Sequence, residues 1–414
     1  MDFRPSPAQQ ILISTARAFL RQHCPPELAQ RLALDARGFD ETLWRRMAEL
    51  GWPGLLVPLE LGGSGGSVLD VILLTEEMGR AGLPGPFVPS AVVATSLVLA
   101  AGSPAQHKRL LPALAAGERV ATLALVEESG SFELDGVTLT CAVPGRLTGR
   151  KLFVRDAHVA DDLIVAVRIG ADPSLILLPT DRPGIARLPL DTISGEKVFE
   201  VTFDGVDVRP DDLLGRVGGA CRAPRPGAAG RALARTAEMV GGAQRVLELA
   251  VEHAKTRVQG GRPIGGYQAI QHACADLVRD VDASRGLALH GGLAGERGRP
   301  AEPDVALAKA YASEACLAVA RRGHQIFGAI SYCEEHPLHL VHKRIQAASL
   351  EFGDSARHLE TVAQAIGLVS AGGRRSRLLT AAGPALYTAA SWKDARTTPR
   401  IPSPRPRRFL TSAP

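Results

Sequence analysis

Apolar residues along the chain change their spacing twice. Up to about residue 118 they recur at helical steps: Ile11, Ala16, Ala18, Phe19 and Leu20 make one face, and Leu43, Met47 and Leu50 another. Ser6-Pro7 predicts the first helix start, with serine at the cap and proline at the first helical position. A second helix is predicted from Phe39-Asp40-Glu41 to the stop at Gly51-Trp52-Pro53. Helical spacing resumes over 68–82, 90–101 and 104–114. The glycine-rich stretch 57–66 reads as a flexible connector, because it lacks the preceding strand and following Gly-Lys-Ser/Thr of a phosphate loop.

Near Glu118 the spacing shortens to alternation. Runs at 120–126, 137–143, 146–154, 162–167, 174–178 and 198–203 are separated by turn signals such as Asp135-Gly136 and Asp204-Gly205. Short strands at this interval predict a small barrel or sandwich. After a Gly/Ala/Arg/Pro linker at 215–230 the helical period returns, with Val240, Ala243, Leu247, Ala250 and Ala254 on one face. A glycine-rich interruption at 257–268 leads into a second long helix, and two more are predicted at about 303–327 and 337–368. Four amphipathic helices with short connections predict an antiparallel bundle. The expected architecture is therefore α+β: a helical N-terminal domain (1–118), a small β-barrel or sandwich (119–228) and a C-terminal four-helix bundle (229–385). A Pro/Arg-rich tail (386–414) is predicted to be disordered.

Composition narrows the function classes. The chain is 45% hydrophobic and 22% charged, as an ordinary globular protein is. Its net charge of +5 is small, several of the arginines fall in the tail, and aromatics are only 4%, so no nucleic-acid partner is expected. The six cysteines are scattered, which predicts free thiols in a reducing compartment. The N-terminus lacks the basic and apolar regions of a signal peptide, and the longest nearly apolar run, 90–102, is too short to span a bilayer. A cytoplasmic protein without a membrane partner is the expectation. His336, His339 and His342 recur every three residues, but a proline follows the first and no metal site is expected.

Four stretches in order resemble the acyl-CoA dehydrogenase family over roughly residues 5–370. They are Leu43-Trp44…Gly51-Trp52…Gly62-Gly63…Glu76-Glu77-Met78-Gly79-Arg80; Leu147–Asp161; Gln244-Arg245…Arg257…Arg262-Pro-Ile-Gly265…Gln268; and Gln325-Ile-Phe-Gly328…Tyr332 with Lys343-Arg344…Phe352-Gly353-Asp354. The resemblance implies FAD as cofactor, an acyl-CoA thioester as substrate, α,β-dehydrogenation with hydride transfer to flavin N5, and an electron-transferring flavoprotein as acceptor. It implies that Arg257 and Gln268 hold the FAD pyrophosphate and adenosine side, and that Gln325 and Gly328 do so for the FAD of an adjacent protomer. Arg155, on the flavin-facing strand, either contacts the flavin or fills its place.

The resemblance also exposes a gap. The family carries its base glutamate just before a glycine near the C-terminal end of the helical region, and here Phe352 precedes Gly353. The alternative family position, on the first bundle helix, falls near Arg231. Glu351 and Asp354 are the nearby carboxylates and the candidate catalytic residues. A homo- or hetero-oligomer with a paralogue is expected, and three readings stay open: a complete flavoenzyme, a catalytically incomplete partner subunit of a hetero-oligomer whose paralogue owns the base, or a degenerate member that binds an acyl-CoA or another partner without flavin.

Overall fold

Capping chemistry sets the first helices. The computed structural model describes residues 3–219, 226–296 and 301–369. In α1 (Pro7–His23) the Ser6 hydroxyl accepts from Gln9 N while the Gln9 side chain accepts from Ser6 N, a capping box that satisfies two free donors of the first turn. A short α2 (Pro26–Leu34), absent from the sequence expectation, follows Pro25 directly. Asp40 caps α3 (Glu41–Glu49), and Ser67 caps α4 (Val68–Ala81), which ends on left-handed Gly82. The predicted helix at 90–101 opens as a buried π-helical turn (Phe87–Ala94) before α5 (Thr95–Ala101), and α6 (Pro104–Ala115) completes the helical part.

The glycine-rich stretch 57–66 is not the flexible connector expected. Ser64, Gly65 and Gly66 donate backbone hydrogen bonds to Gly54, Val57 and Leu55 at 2.9, 2.9 and 2.7 Å. A Cβ on Gly63 would lie 2.0 Å from the Val57 carbonyl oxygen, so the glycine permits this close packing.

The alternating region forms two three-stranded sheets. One orders β1 (Ala121–Ala124), β3 (Asp162–Ile169) and β4 (Asp172–Pro179); the other orders β2 (Gly145–Arg155), β6 (Val198–Val208) and β5 (Ile185–Leu190). Their inner faces share a core that includes Leu147, Val154, Leu163, Val165, Ile176, Val201 and Phe203. The run 137–143 does not pair as a strand. It runs beside β3 through a single bridge at Thr140, and Arg168 donates to the Val137 carbonyl at 2.6 Å. Conversely β5 escaped the sequence reading because it is an edge strand with four of its six residues exposed, and so carries little alternation.

The helical remainder runs as α7 (Pro226–Thr256), α8 (Gln268–Glu296) and α9 (Glu302–Phe327), then α10 (Leu338–Leu350) and α11 (Ser355–Ala365). A two-residue ladder of β7 (Val258–Gln259) and β8 (Arg262–Pro263) links α7 to α8. Gly241 in α7 meets α4 backbone to backbone: a Cβ there would lie 1.9 Å from the Glu76 carbonyl oxygen. The single helix expected at 337–368 is in fact broken at Glu351–Asp354, for reasons given below. No described helix is long and apolar enough to cross a membrane. Cys24, Cys141, Cys274, Cys316 and Cys333 are free thiols. Cys221, the middle of the linker and the predicted disordered tail lie outside the described residues.

Candidate active site

The break between α10 and α11 forms one wall of a cleft. Phe352 and Gly353 both take positive φ, 60° and 105°, which no helix accommodates. Asp354 then caps α11, its carboxylate accepting from Arg357 N at 2.9 Å. From α9 the fully buried Lys309 donates its ammonium to the carbonyls of Ser349 (2.8 Å) and Gly353 (3.1 Å). Burial, with the nearby charge of Arg235, pulls Lys309 down to about 7. The His358 ring nitrogen sits 3.1 Å from the Phe352 carbonyl oxygen.

The facing wall is the end of β2, where Phe153 also has positive φ (54°) and stands 51% exposed. Non-glycine residues at such angles cost free energy and cluster where geometry serves a purpose. Between the walls lies a cleft of about 430 Å³ lined by Val88, Val93, Phe132, Phe153, Phe352 and, at its polar end, Arg155 and Glu351. The rings of Phe132 and Phe352 meet edge to face at 5.7 Å. The Arg231 guanidinium lies 5.1 Å from the Phe352 ring centroid and donates to the Phe132 carbonyl at 3.2 Å.

Glu351 is the one carboxylate lining this cleft among the described residues, and it is not free. Its Oε2 lies 3.2 Å from Arg155 Nη1 and 2.7 Å from Arg235 Nε, the latter at an angle too oblique for a hydrogen bond. The same two arginines reach Glu196 at 2.9 and 3.1 Å, and Arg235 also reaches Glu238 at 2.6 Å. Burial pushes Glu196 up, yet the charges of Arg155 and Arg235 overcome it and hold the carboxyl at about 2. Asp156 beside them has no such fixed partner, and burial pushes it up to about 7. Behind this cluster opens a second cavity of about 910 Å³ between α2, the end of α4, α7 and α10. Arg155 lines both spaces, so the arginine–glutamate cluster is the partition between them.

A second group of expected residues gathers elsewhere. Arg257 directly follows α7, Gln268 begins α8, Gln325 lies in the last turn of α9 and Gly328 caps it. The stacking of His253 on Phe327, with ring centroids 4.3 Å apart, brings these termini to one end of the bundle. All four residues are exposed, and the Arg257 guanidinium makes no hydrogen bond or ion pair among the described residues. Unpaired planar donors beside the N-terminus of a 29-residue helix fit a diphosphate. The patch thus fits the phosphate part of FAD.

Sequence-expected residues therefore divide three ways. Glu351 and Arg155 meet in the partition, Asp354 serves as a helix cap, and the remaining four form the exposed patch. His336, His339 and His342 do not converge: His336 packs on Phe327, His339 faces the Glu334 carbonyl, and His342 abuts His324. Sequence reading missed Arg235, Glu196 and Lys309. Arg235 and Lys309 interrupt the alanine-rich buried faces of α7 and α9, a visible signal; Glu196 sits in a turn and offered none.

Comparison with known proteins bears on both sites. Residues 6–118 match the family described as acyl-CoA dehydrogenase, N-terminal domain, and residues 228–367 match acyl-CoA dehydrogenase, C-terminal domain. Acyl-CoA dehydrogenase IpdE2 of Mycobacterium tuberculosis is 30% identical over 355 residues, 83% of this chain and 93% of that protein. Among solved structures, the ChsE4-ChsE5 complex of Mycobacterium tuberculosis superposes with a TM-score of 0.82 at 27% identity, covering 90% of this chain and all of that one. Butyryl-CoA dehydrogenase of Megasphaera elsdenii does so with a TM-score of 0.82 at 25% identity, covering 88% and 100%.

Proposed function

The chain belongs to the acyl-CoA dehydrogenase family of FAD-dependent oxidoreductases, and we propose that it is the subunit of a hetero-oligomeric acyl-CoA dehydrogenase that lacks its own base. FAD, when bound, supplies the hydride acceptor for α,β-dehydrogenation of the acyl thioester. The remaining half of that reaction needs a carboxylate to take the α-proton. The observation carrying the proposal is that Phe352 and Arg231, which stand at or near where the family places a base, stack on each other at the cleft wall that Phe352 lines. Neither accepts a proton. Glu351 is already engaged in ion pairs with two arginines of the partition.

What this chain contributes is binding and positioning. Arg257, Gln268 and Gln325 present exposed side-chain donors beside Gly328, whose own amide donates to the His324 carbonyl, and we place the four residues together at the diphosphate of a FAD shared with a neighbouring subunit. The two phenylalanines at positive φ hold the cleft walls apolar and exclude water. That the ChsE4-ChsE5 structure is a complex of two different chains supports a paired assembly here. Electrons would pass on to an electron-transferring flavoprotein, the acceptor that the family resemblance implies. The competing reading, a complete enzyme using Glu351, is favoured only by that residue's place in the cleft.

The test is co-expression with a base-bearing paralogue from the same genome. The expected result is a co-purifying hetero-oligomer whose flavin absorbance bleaches on anaerobic addition of acyl-CoA, while this chain alone shows no bleaching. Full bleaching by this chain alone would overturn the proposal.

A further inference from the structure

The larger cavity contains an arginine without a counter-ion. Arg344, on α10, lines it beside Gly82 and donates Nη1 to the Gly82 carbonyl. Its Nε and Nη2 are fully buried and have no hydrogen-bond partner. Other buried arginines of this region are neutralised: Arg155 by Glu196 and Glu351, Arg235 by Glu196, Glu238 and Glu351. No carboxylate lies within ion-pair distance of Arg344 among the described residues. A buried guanidinium stays charged and is costly to leave unpaired, so its free edge is a site that an anion would complete.

The surroundings define the rest of the ligand. Leu83, Met239, Leu340, Val341, Ile345 and Ala348 give the cavity an apolar lining next to that arginine. Its two part-buried glutamates, Glu196 and Glu238, are already ion-paired with Arg155 and Arg235, and Asp156 is the third carboxyl of the lining. Lys197 also lines the cavity, as does Arg245, which lies 3.7 Å from Glu248. A concave, mostly apolar space with one unpaired charged donor edge has the character of a small-molecule pocket. The partition closes it from the cleft that holds Phe352.

We propose that this cavity binds a carboxylate carried on an apolar chain or ring, with the carboxylate seated on the Nε and Nη2 edge of Arg344. Two parallel hydrogen bonds from that edge match the two oxygens of a carboxylate. The same chemistry comes from a free carboxylic acid or from the far end of a dicarboxylic acyl thioester. Only the second source rests on the function proposed above, since it requires the thioester to enter past the partition.

Calorimetry on the full chain with octanoate, octan-1-ol, suberyl-CoA and octanoyl-CoA separates these sources. Octanoate is expected to bind at least about tenfold more tightly than octan-1-ol, as one charge-assisted pair requires. Arg344→Met is expected to erase that preference while raising the melting temperature of the unliganded chain, because a lone buried charge is removed; Arg344→Lys should keep part of the preference. If octanoate does not bind but suberyl-CoA exceeds octanoyl-CoA in an Arg344-dependent way, the carboxylate arrives on the thioester and the site stands. Equal binding of acid and alcohol with no suberyl-CoA preference overturns the proposal, as does a carboxylate preference that survives Arg344→Met. The octanoate comparison in the wild-type chain needs neither a variant nor a partner subunit, so it stands apart from the failure of the partner-subunit reading.

Discussion

Arg231 and Phe352 come from elements far apart in sequence and stack in the cleft, the guanidinium carbon 5.1 Å from the ring centroid. One residue begins the buried part of α7 and the other interrupts the bundle after α10. On the function proposed above, their contact fills with a cation and a hydrocarbon ring the two positions where a base would stand. Phe352→Glu alone would set a carboxylate against Arg231, which would hold its pKa low and make it a weak base. Phe352→Glu with Arg231→Ala removes that clamp. The double variant is expected to reduce bound flavin with acyl-CoA at least about 100-fold faster than the wild-type chain, the scale of general-base catalysis. Anaerobic stopped-flow absorbance measures this.

Asp354 was a candidate base by sequence position, but its carboxylate accepts from the Arg357 amide and starts α11. Asp354→Ala should cost about 1 kcal/mol, the usual loss of a helix cap, and Asp354→Ser should restore most of it. Flavin reduction in the assembled hetero-oligomer should not change with either. Urea unfolding and single-turnover reduction of the same samples decide between cap and base.

Much of the fold was legible because period and capping agreed: Ser6, Asp40 and Ser67 mark helix starts in both sequence and structure. The site was less legible. The helical period runs through Glu351–Asp354 almost unbroken, and only Gly353 hinted that the chain turns there. Phe352 at positive φ is held by tertiary contacts from Lys309 and His358, which no local propensity encodes. The arginine–glutamate partition draws on β2, the turn before β6, α7 and the α10–α11 break, so it exists only once the layers have assembled.

Lys309 is the strut under that break, and its loss should be felt locally. Lys309→Met fits the buried stem but leaves the Gly353 carbonyl without its donor and the Ser349 carbonyl with only the Ser313 hydroxyl at 3.3 Å. An unsatisfied buried acceptor costs about 1–3 kcal/mol. The expected result is faster hydrogen exchange confined to about 349–358, with the sheets unaffected. Uniform exchange changes across the chain would mean that the lysine supports the whole bundle instead.

Two carboxyl groups give stability opposite pH dependence. Asp156, pushed up by burial to about 7 from an ordinary 3.8, keeps a proton in the folded state that the unfolded chain has released. Its contribution is therefore full below about pH 4 and is lost as pH rises through about 7. Glu196 is pushed up by burial but drawn down further by Arg155 and Arg235, to about 2 from 4.5. Its contribution is present above about pH 4.5 and lost as pH falls toward 2. Asp156→Asn keeps the size, tolerates the φ of 52° and removes the titration. It should leave stability at pH 4 nearly unchanged and raise it at pH 8 by up to about 4 kcal/mol, at about 1.4 kcal/mol per unit. Urea midpoints at pH 4, 6 and 8 test this.

Arg257 is the residue we propose for the cofactor phosphates. It stands exposed at the end of α7, beside the β7–β8 turn that Gly260 and Gly261 make with φ of 60° and 76°. Because its guanidinium has no partner among the described residues, removing it should cost the chain no folding stability. Charge-assisted hydrogen bonds to a diphosphate contribute about 1.5–3 kcal/mol, so Arg257→Gln should weaken FAD binding by about 10–100-fold in the assembled hetero-oligomer. Gln268→Ala and Gln325→Ala should act in the same direction and more weakly, since neutral donors bind oxyanions less strongly. Flavin retained after gel filtration, read against unchanged melting of the apoprotein, measures both parts. If Arg257→Gln lowers flavin content in one type of subunit pairing and Gln325→Ala only in the other, the two residues serve different flavins. If they always act together, the end of the bundle is one phosphate site.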